Sequence, residues 1–205
     1  MKRPDERKFE VVSAEYETSA IQRVQYPPRD FPEIAFAGKS NVGKSSLINA
    51  LVNRRQLARV SNTPGRTRML NFFIVNSVAR FVDLPGYGFA KVPKCVKAGW
   101  EKMITTYLRG NRNLRGVVAL FDIRREFTEE DLALPDWLAH FGIPFIAVMT
   151  KSDKLSRAQQ TVSASRARAA LERFHPLDVV LFSAATRQGR DELLGLIGEL
   201  LAPRQ

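Results

Sequence analysis

Short apolar runs alternate along the chain with segments in which apolar residues recur every three or four positions. The short runs predict buried strands, and the periodic segments predict helices that turn one apolar face towards a core. This alternation favours a doubly wound α/β fold, with a mainly parallel sheet and helices on both faces. The predicted strands are residues 33–37, 116–121, 144–149 and 179–182, and the predicted helices are residues 46–52, 94–109, 128–140, 157–174 and 189–201.

Two further apolar runs, residues 69–75 and 78–82, flank the pair Asn76–Ser77. This arrangement indicates a hairpin, so the two strands are predicted to be antiparallel neighbours. Residues 9–20 alternate in part and are predicted to add a strand or to lie along the sheet edge. The predicted fold is therefore a three-layer α/β protein whose six or seven strands are mostly parallel, with one antiparallel strand.

The chain has 205 residues, which suits one domain, and we place it at 26–205 after an N-terminal arm or extension over 1–25. The net charge is +11 and the pI about 10.2, which favours a polyanionic partner: nucleic acid first, acidic membrane surfaces second. The single cysteine, Cys95, excludes an internal disulfide and favours a reducing compartment. Neither a signal-peptide pattern nor an apolar run near the ~20 residues of a membrane span is visible. A cytoplasmic protein is therefore expected.

The strongest motif is Gly38–Ser45, which fits the phosphate-loop pattern G-x-x-x-x-G-K-[ST] at every fixed position. It stands between a predicted strand and a predicted helix, the context in which this loop binds phosphates. Its glycines let the backbone turn N–H groups towards an anion, and the start of the helix adds a positive dipole end. Lys44 is predicted to reach the β- and γ-phosphates, and the Ser45 hydroxyl to ligate Mg²⁺.

Two more segments favour a metal-assisted phosphate site. Asp83 directly follows the strand at 78–82, where phosphate-loop proteins place an aspartate that holds Mg²⁺, usually through water. Gly86 can bring its backbone N–H to a γ-phosphate. Residues 63–68 lie between the first helix and the hairpin, and Thr67, with Thr63 as the alternative, is predicted to complete the coordination of Mg²⁺. The predicted metal ligands are Ser45, Thr67 and Asp83, and the predicted catalytic residues are Lys44, Thr67 and Gly86.

The segment Thr150–Asp153 follows the strand at 144–149 and favours guanine over adenine. The Asp153 carboxylate can accept hydrogen bonds from both the N1–H and the exocyclic amine of guanine, whereas adenine presents an acceptor at its ring nitrogen. The Lys151 stem can lie across the base plane. After the last strand, the backbone N–H of Ala184 can meet the guanine O6. These residues predict GTP rather than ATP as the ligand.

In order and spacing these motifs resemble those of Ras-like GTPases of the translation-factor class. The match is close to the EngB family of ribosome-biogenesis GTP-binding proteins and covers residues 10–202. Thr150 stands where the general GTPase pattern has Asn, which looks like the EngB variant. The resemblance implies a P-loop GTPase fold, hydrolysis of bound GTP to GDP with Mg²⁺, a role in maturing the large ribosomal subunit, and a link to cell division and septation. The residues that it places at the nucleotide are Gly38, Lys39, Ser40, Asn41, Val42, Gly43, Lys44, Ser45, Gly65, Arg66, Thr67, Arg68, Met69, Asp83, Leu84, Pro85, Gly86, Thr150, Lys151, Ser152, Asp153, Phe182, Ser183 and Ala184.

Two positions bear on the rate of hydrolysis. Tyr87 stands where Ras-type enzymes carry a water-orienting Gln, so slow intrinsic hydrolysis, raised by a partner, is expected. Asn41 resembles the potassium-binding Asn of some relatives, which makes K⁺ a candidate accelerator. Residues 61–68 and 84–95 are the expected switches, because the γ-phosphate would order both segments.

Basic residues beside both expected switches are predicted to contact the rRNA of a precursor of the large ribosomal subunit, the alternative being a generic solubilising surface. They are Arg54, Arg55, Arg59, Arg66, Arg68, Lys91, Lys94, Lys97, Lys102, Arg109, Arg112 and Arg115. A monomer is expected, because no feature demands a dimer interface. Two other functions stay open: a phosphate-loop ATPase or small-molecule kinase, and a nucleotide-binding scaffold in cell division.

Overall fold

The computed structural model describes residues 9–54, 56–58, 69–87 and 102–203, which form one mixed sheet flanked by helices. The strands are β1 (Ala14–Ala20), β2 (Glu33–Gly38), β3 (Leu70–Val75), β4 (Ala79–Asp83), β5 (Leu114–Asp122), β6 (Phe145–Thr150) and β7 (Val179–Leu181). The helices are α1 (Lys44–Leu51), α2 (residues 102–108), α3 (Glu129–His140), α4 (Arg157–Leu171) and α5 (Arg190–Leu201).

The sheet has seven strands in the order β1-β3-β4-β2-β5-β6-β7. β3 pairs antiparallel with both of its neighbours, and the other neighbouring strands are parallel. The prediction of a mostly parallel sheet with one antiparallel strand is therefore confirmed. The β3–β4 hairpin turns at Asn76 and Ser77, whose φ angles of 52° and 53° are left-handed, as tight hairpin turns require.

Each face of the sheet carries its own core, which produces the three predicted layers. Alternate residues of β2 enter opposite cores: Ala35 and Ala37 join one, and Ile34 and Phe36 join the other. Side chains of α1 and α5 fill the second core, while α2, α3 and α4 cover the first. The helices lie close to their predicted positions, except that the predicted helix at 94–109 is described only from residue 102 and α4 passes into a 3-10 turn at Glu172–Phe174.

The N-terminal segment is bound to the rest of the fold at several places. β1 lies at the sheet edge against β3, where residues 9–20 were predicted to run. The fully buried Arg80 of β4 donates hydrogen bonds to the two carboxylate oxygens of Glu17 in β1, at 2.6 and 2.9 Å. Phe9 lies against α5 beside Gly198, where an added Cβ would come within 2.8 Å of the Phe9 Cβ. The boundary between an extension over 1–25 and a domain over 26–205 stays a prediction.

Candidate functional site

The predicted motifs meet at one edge of the sheet. β2, β4, β5, β6 and β7 run parallel, so their carboxyl ends lie on the same side, where ligands bind in open α/β sheets. The phosphate loop leaves β2, Asp83 ends β4, Thr150 ends β6, and Ser183 follows β7. The topology therefore brings together motifs that are far apart in the sequence.

The phosphate loop joins β2 to α1 through left-handed backbone. Gly43 is the residue that caps the N-terminus of α1, and its φ of +106° is one that a residue with a Cβ rarely adopts. Asn41 is also left-handed, with φ of 62°. Because α1 begins at Lys44, its unpaired N–H groups and positive dipole end are next to the loop, as anion binding requires.

Lys44 and Asp83, predicted to act on phosphate and metal, lie next to each other. The Lys44 ammonium contacts the Asp83 carboxylate, and both side chains are almost fully buried. Ser45, in the first turn of α1, and Asp83 offer a hydroxyl and a carboxylate, the oxygen donors that Mg²⁺ prefers, so these residues fit a magnesium site. Within residues 9–54, 56–58, 69–87 and 102–203, groups of three or more His, Cys, Asp or Glu suited to a metal are absent.

The segment after β4 is bound to the phosphate loop by its backbone. The Ser40 N–H donates to the Tyr87 carbonyl at 3.0 Å, and the Tyr87 N–H donates to the Gly38 carbonyl at 3.3 Å. A Cβ on Gly86 would lie 2.9 Å from the Ser40 Oγ and 3.2 Å from the Ser40 backbone. Gly86 therefore lies in direct contact with the loop, and this close approach favours glycine.

The Lys39 side chain binds α3, which the sequence did not predict. Its ammonium lies 2.9 Å from the Asp131 carboxylate and 3.1 Å from that of Glu130, and it donates to the Thr128 hydroxyl at 3.1 Å. Burial raises the pKa of Asp131, but hydrogen bonds from Lys39 and Thr128 outweigh that effect and hold it below its ordinary value. The placement of Lys39 at the nucleotide stays a prediction, and its side chain pairs with carboxylates at the start of α3.

Two residues of the guanine motif bind carbonyl groups of the phosphate loop. The Thr150 hydroxyl lies 2.6 Å from the Val42 carbonyl and 3.0 Å from that of Phe121, so it can donate its single proton to either carbonyl. The Lys151 ammonium donates to the Asn41 carbonyl at 2.8 Å. These contacts hold the guanine motif and the phosphate loop in one unit, with Thr150 occupying the position of the general Asn.

The Asp153 carboxylate lies where the segments after β6 and β7 meet. It accepts a hydrogen bond of 2.7 Å from the Ser183 hydroxyl and pairs with Lys154 at 3.1 Å. These two contacts lower the pKa of Asp153, so the side chain is anionic at neutral pH. The Ser152 N–H donates to the Phe182 carbonyl at 3.1 Å, which fixes the two segments against each other.

The remaining predicted site residues differ in exposure. Leu84, Pro85 and Phe182 are buried, so they can face a ligand through the backbone alone, whereas Ala184 is exposed, as is Met69 just before β3. Gly65, Arg66, Thr67 and Arg68 lie outside the described residues, as do the rest of the expected switch at 61–68 and residues 88–95 of the expected switch at 84–95. Asp122 is not among the predicted site residues, although a carboxylate that ends a buried apolar run at the same sheet edge is a usable signal.

Comparison with known proteins agrees with this geometry. A family model described as "50S ribosome-binding GTPase" matches residues 33–151. A probable GTP-binding protein EngB of Syntrophotalea carbinolica is 54% identical over 188 residues, covering 91% of this chain and 89% of that protein. The chain belongs to the EngB family. A probable EngB protein of Pelotomaculum thermopropionicum is 48% identical over 190 residues, 93% of this chain and 96% of that one.

The EngB assignment extends to the architecture. A crystal structure of a probable GTP-binding protein EngB matches with a TM-score of 0.68 and 26% identity, covering 82% of this chain and 98% of that chain. The chain is thus a GTPase of the P-loop class, as the motifs predicted. Among its described residues, none of the helices has the length and apolar character of a membrane span.

Proposed function

We propose that this EngB-family chain is a guanine-nucleotide switch that hydrolyses GTP and acts on precursors of the large ribosomal subunit. The observation that carries the nucleotide part is the pair of bonds from Thr150 and Lys151 to the phosphate-loop carbonyls of Val42 and Asn41. Since the guanine motif and the phosphate loop are held in one unit, a ligand that bridges them must offer both a base and phosphates. Asp153, anionic at the end of this unit, favours the N1–H and amine of guanine.

In the proposed reaction the protein stabilises charge and does not form covalent bonds with the substrate. Lys44 and the N–H groups at the start of α1 would stabilise the charge that builds on the β–γ bridging oxygen. Ser45 and Asp83, together with Thr67, would hold Mg²⁺, which when bound neutralises β- and γ-phosphate charge. Gly86, in contact with Ser40, would report the γ-phosphate to the segment that follows it.

Slow intrinsic hydrolysis is part of the proposal. Burial raises the pKa of Tyr87, and the carboxylates of Asp131 and Glu130 raise it further, so its phenol stays protonated at neutral pH. A buried, protonated phenol cannot take a proton from water. We therefore expect the rate of GTP hydrolysis to rise when a partner or K⁺ supplies the catalytic group that Tyr87 cannot provide. Phosphate release measured in sodium and in potassium buffers tests the K⁺ part, and equal rates would contradict it.

The positive charge of the chain supports a ribosomal partner. The net charge of +11 suits rRNA, and Lys102, Arg109 and Arg112 of the predicted basic surface are exposed at α2 and just after it. Arg54 is also described and exposed, and Arg115 is half-buried, while Arg55, Arg59, Lys91, Lys94 and Lys97 lie outside the described residues. Cytoplasmic location, a monomeric state and a role in cell division belong to the same proposal.

The nucleotide part is tested by measuring binding of GDP, GTP, ADP and ATP to the same preparation, followed by phosphate release. Tight binding of guanine nucleotides alone, with slow release of phosphate from GTP, is expected. Equal binding of ATP would favour the ATPase alternative. Guanine binding without any phosphate release would favour a nucleotide-binding scaffold.

The partner part is tested by co-sedimentation with large ribosomal subunits, with GDP or a non-hydrolysable GTP analogue, over a salt series. We expect binding favoured by the analogue and lost steeply with salt, because phosphate contacts release counterions. Lys102→Ala with Arg112→Ala should weaken binding, whereas Arg157→Ala with Arg166→Ala, which removes the same charge from α4, should not. Binding in neither nucleotide state would refute the ribosomal role.

A further inference from the structure

Asp122, the last residue of β5, lies between two cations beside the proposed guanine site. Its carboxylate is 7% exposed. The Lys151 ammonium donates to its Oδ2 at 2.8 Å. Arg124 donates to the same carboxylate three times: from its backbone N–H and Nε to Oδ1 at 3.1 and 2.9 Å, and from Nη2 to Oδ2 at 2.7 Å.

These contacts fix the direction of the carboxylate. A guanidinium that engages both oxygens leaves a carboxylate little freedom to rotate, because the two hydrogen bonds define a plane. Burial raises the pKa of Asp122, but the bonds from Arg124 and Lys151 outweigh burial and hold the pKa well below its ordinary value. The carboxylate is therefore anionic and oriented at neutral pH.

The oriented carboxylate in turn fixes Lys151. The ammonium is held at two points, by Asp122 Oδ2 and by the Asn41 carbonyl, each at 2.8 Å. Lys151 also has a left-handed backbone with φ of 63°, a conformation that costs free energy for a residue with a Cβ and persists where its surroundings impose it. Both ends of this side chain are thus constrained, which restricts the course of its methylene stem across the site.

We infer that Asp122 is a positioning residue for nucleotide binding, which acts by holding the stem of Lys151 against the face of the guanine base. The inference rests on the proposed guanine function. Without the carboxylate the ammonium keeps one neutral acceptor, and a lysine with four rotatable bonds leaves the base plane readily. Arg124 contributes indirectly, because it orients the carboxylate that orients the lysine.

The test is a double-mutant cycle on nucleotide release. Asp122→Asn, Lys151→Met and the double variant are each loaded with a fluorescent GDP analogue, and its dissociation rate is measured after excess GDP is added. We expect each single variant to release the analogue about tenfold faster, which corresponds to about 1.4 kcal/mol. The double variant should be no faster than Lys151→Met alone, because Asp122 acts through that lysine.

Asp178→Asn is the matched control. It removes a carboxylate that pairs with Arg168 at 3.7 Å, away from the site, and should release GDP at the wild-type rate. Thermal unfolding of all variants distinguishes a positioning role of Asp122 from a role in folding alone. If Asp122→Asn lowers the melting temperature but leaves the release rate unchanged, Asp122 is structural only and the inference is overturned. Multiplicative effects in the double variant overturn it as well. If the wild type does not discriminate GDP from ADP, the proposed function fails first, and the two failures are distinguishable.

Discussion

Replacing Thr150 with Val tests whether the guanine motif and the phosphate loop behave as one unit. Thr150 is 3% exposed, and Val has the same shape, so the change removes a hydroxyl without opening a cavity. The Val42 carbonyl, 2.6 Å from that hydroxyl, loses its donor in a buried setting. An unsatisfied buried acceptor costs about 1–3 kcal/mol, so a loss of about 2 kcal/mol should lower the melting temperature by roughly 4–8 °C in a domain of this size.

The assay is thermal unfolding followed by circular dichroism, together with GDP affinity measured by titration. Thr161→Val is the matched control, because the Thr161 hydroxyl also donates to a carbonyl, that of Arg157 at 3.1 Å, but on the exposed face of α4. The control should change stability by less than ~0.5 kcal/mol. The reasoning is refuted if the Thr150 variant melts with the control and binds GDP as tightly as the wild type does.

Three further perturbations follow from buried or paired charges. Arg80→Met leaves Glu17 without its buried partner and should cost about 3–5 kcal/mol in urea unfolding; an unchanged midpoint would contradict this. Lys39→Met removes the cation that, against the opposing effect of burial, lowers the pKa of Asp131. That stabilisation is present above the unfolded-state pKa of about 4 and fades as the pH falls through the folded-state value. The wild type should therefore lose more stability than the variant between about pH 5 and 2. Parallel profiles of stability against pH would refute the pairing. Burial raises the pKa of Glu33, so the wild type should lose stability as the pH rises through the raised value, and Glu33→Gln should not. A difference in melting temperature between the two proteins that stays constant from pH 4 to 7 would contradict this prediction.

Local patterns predicted the elements because those elements follow local rules. The apolar runs became β2, β5, β6 and β7, and the Asn76–Ser77 pair became the hairpin turn. The phosphate loop was predictable because its glycines and its place between a strand and a helix are requirements of the backbone. Position at the carboxyl ends of the strands then fixed which motifs would meet.

The contacts between distant side chains were not predictable in the same way. Lys39 binds Glu130 and Asp131 because α3 happens to begin beside the phosphate loop, which depends on the packing of α3 against the sheet. In the sequence nothing distinguishes Arg80 from other basic residues, yet it is fully buried because Glu17, 63 positions earlier, comes beside it when β1 joins the sheet edge. Such pairs depend on the completed topology, and a single sequence carries no periodic signal for them.

The contact between Phe9 and Gly198 joins the first described residue to the last helix. Since Phe9 and the last helix are neighbours, a circular permutant that joins these two described segments through a short peptide linker, with new ends opened elsewhere, should keep the strands in place. The turn at Gly142, which is exposed and where an added Cβ would meet no atom within 4 Å, lies between α3 and β6. A permuted chain opened there would run from the guanine motif to the phosphate loop, the reverse of the natural order, and place its ends where α3 finishes. Donor and acceptor dyes attached at those ends would turn any movement of α3 into an optical signal.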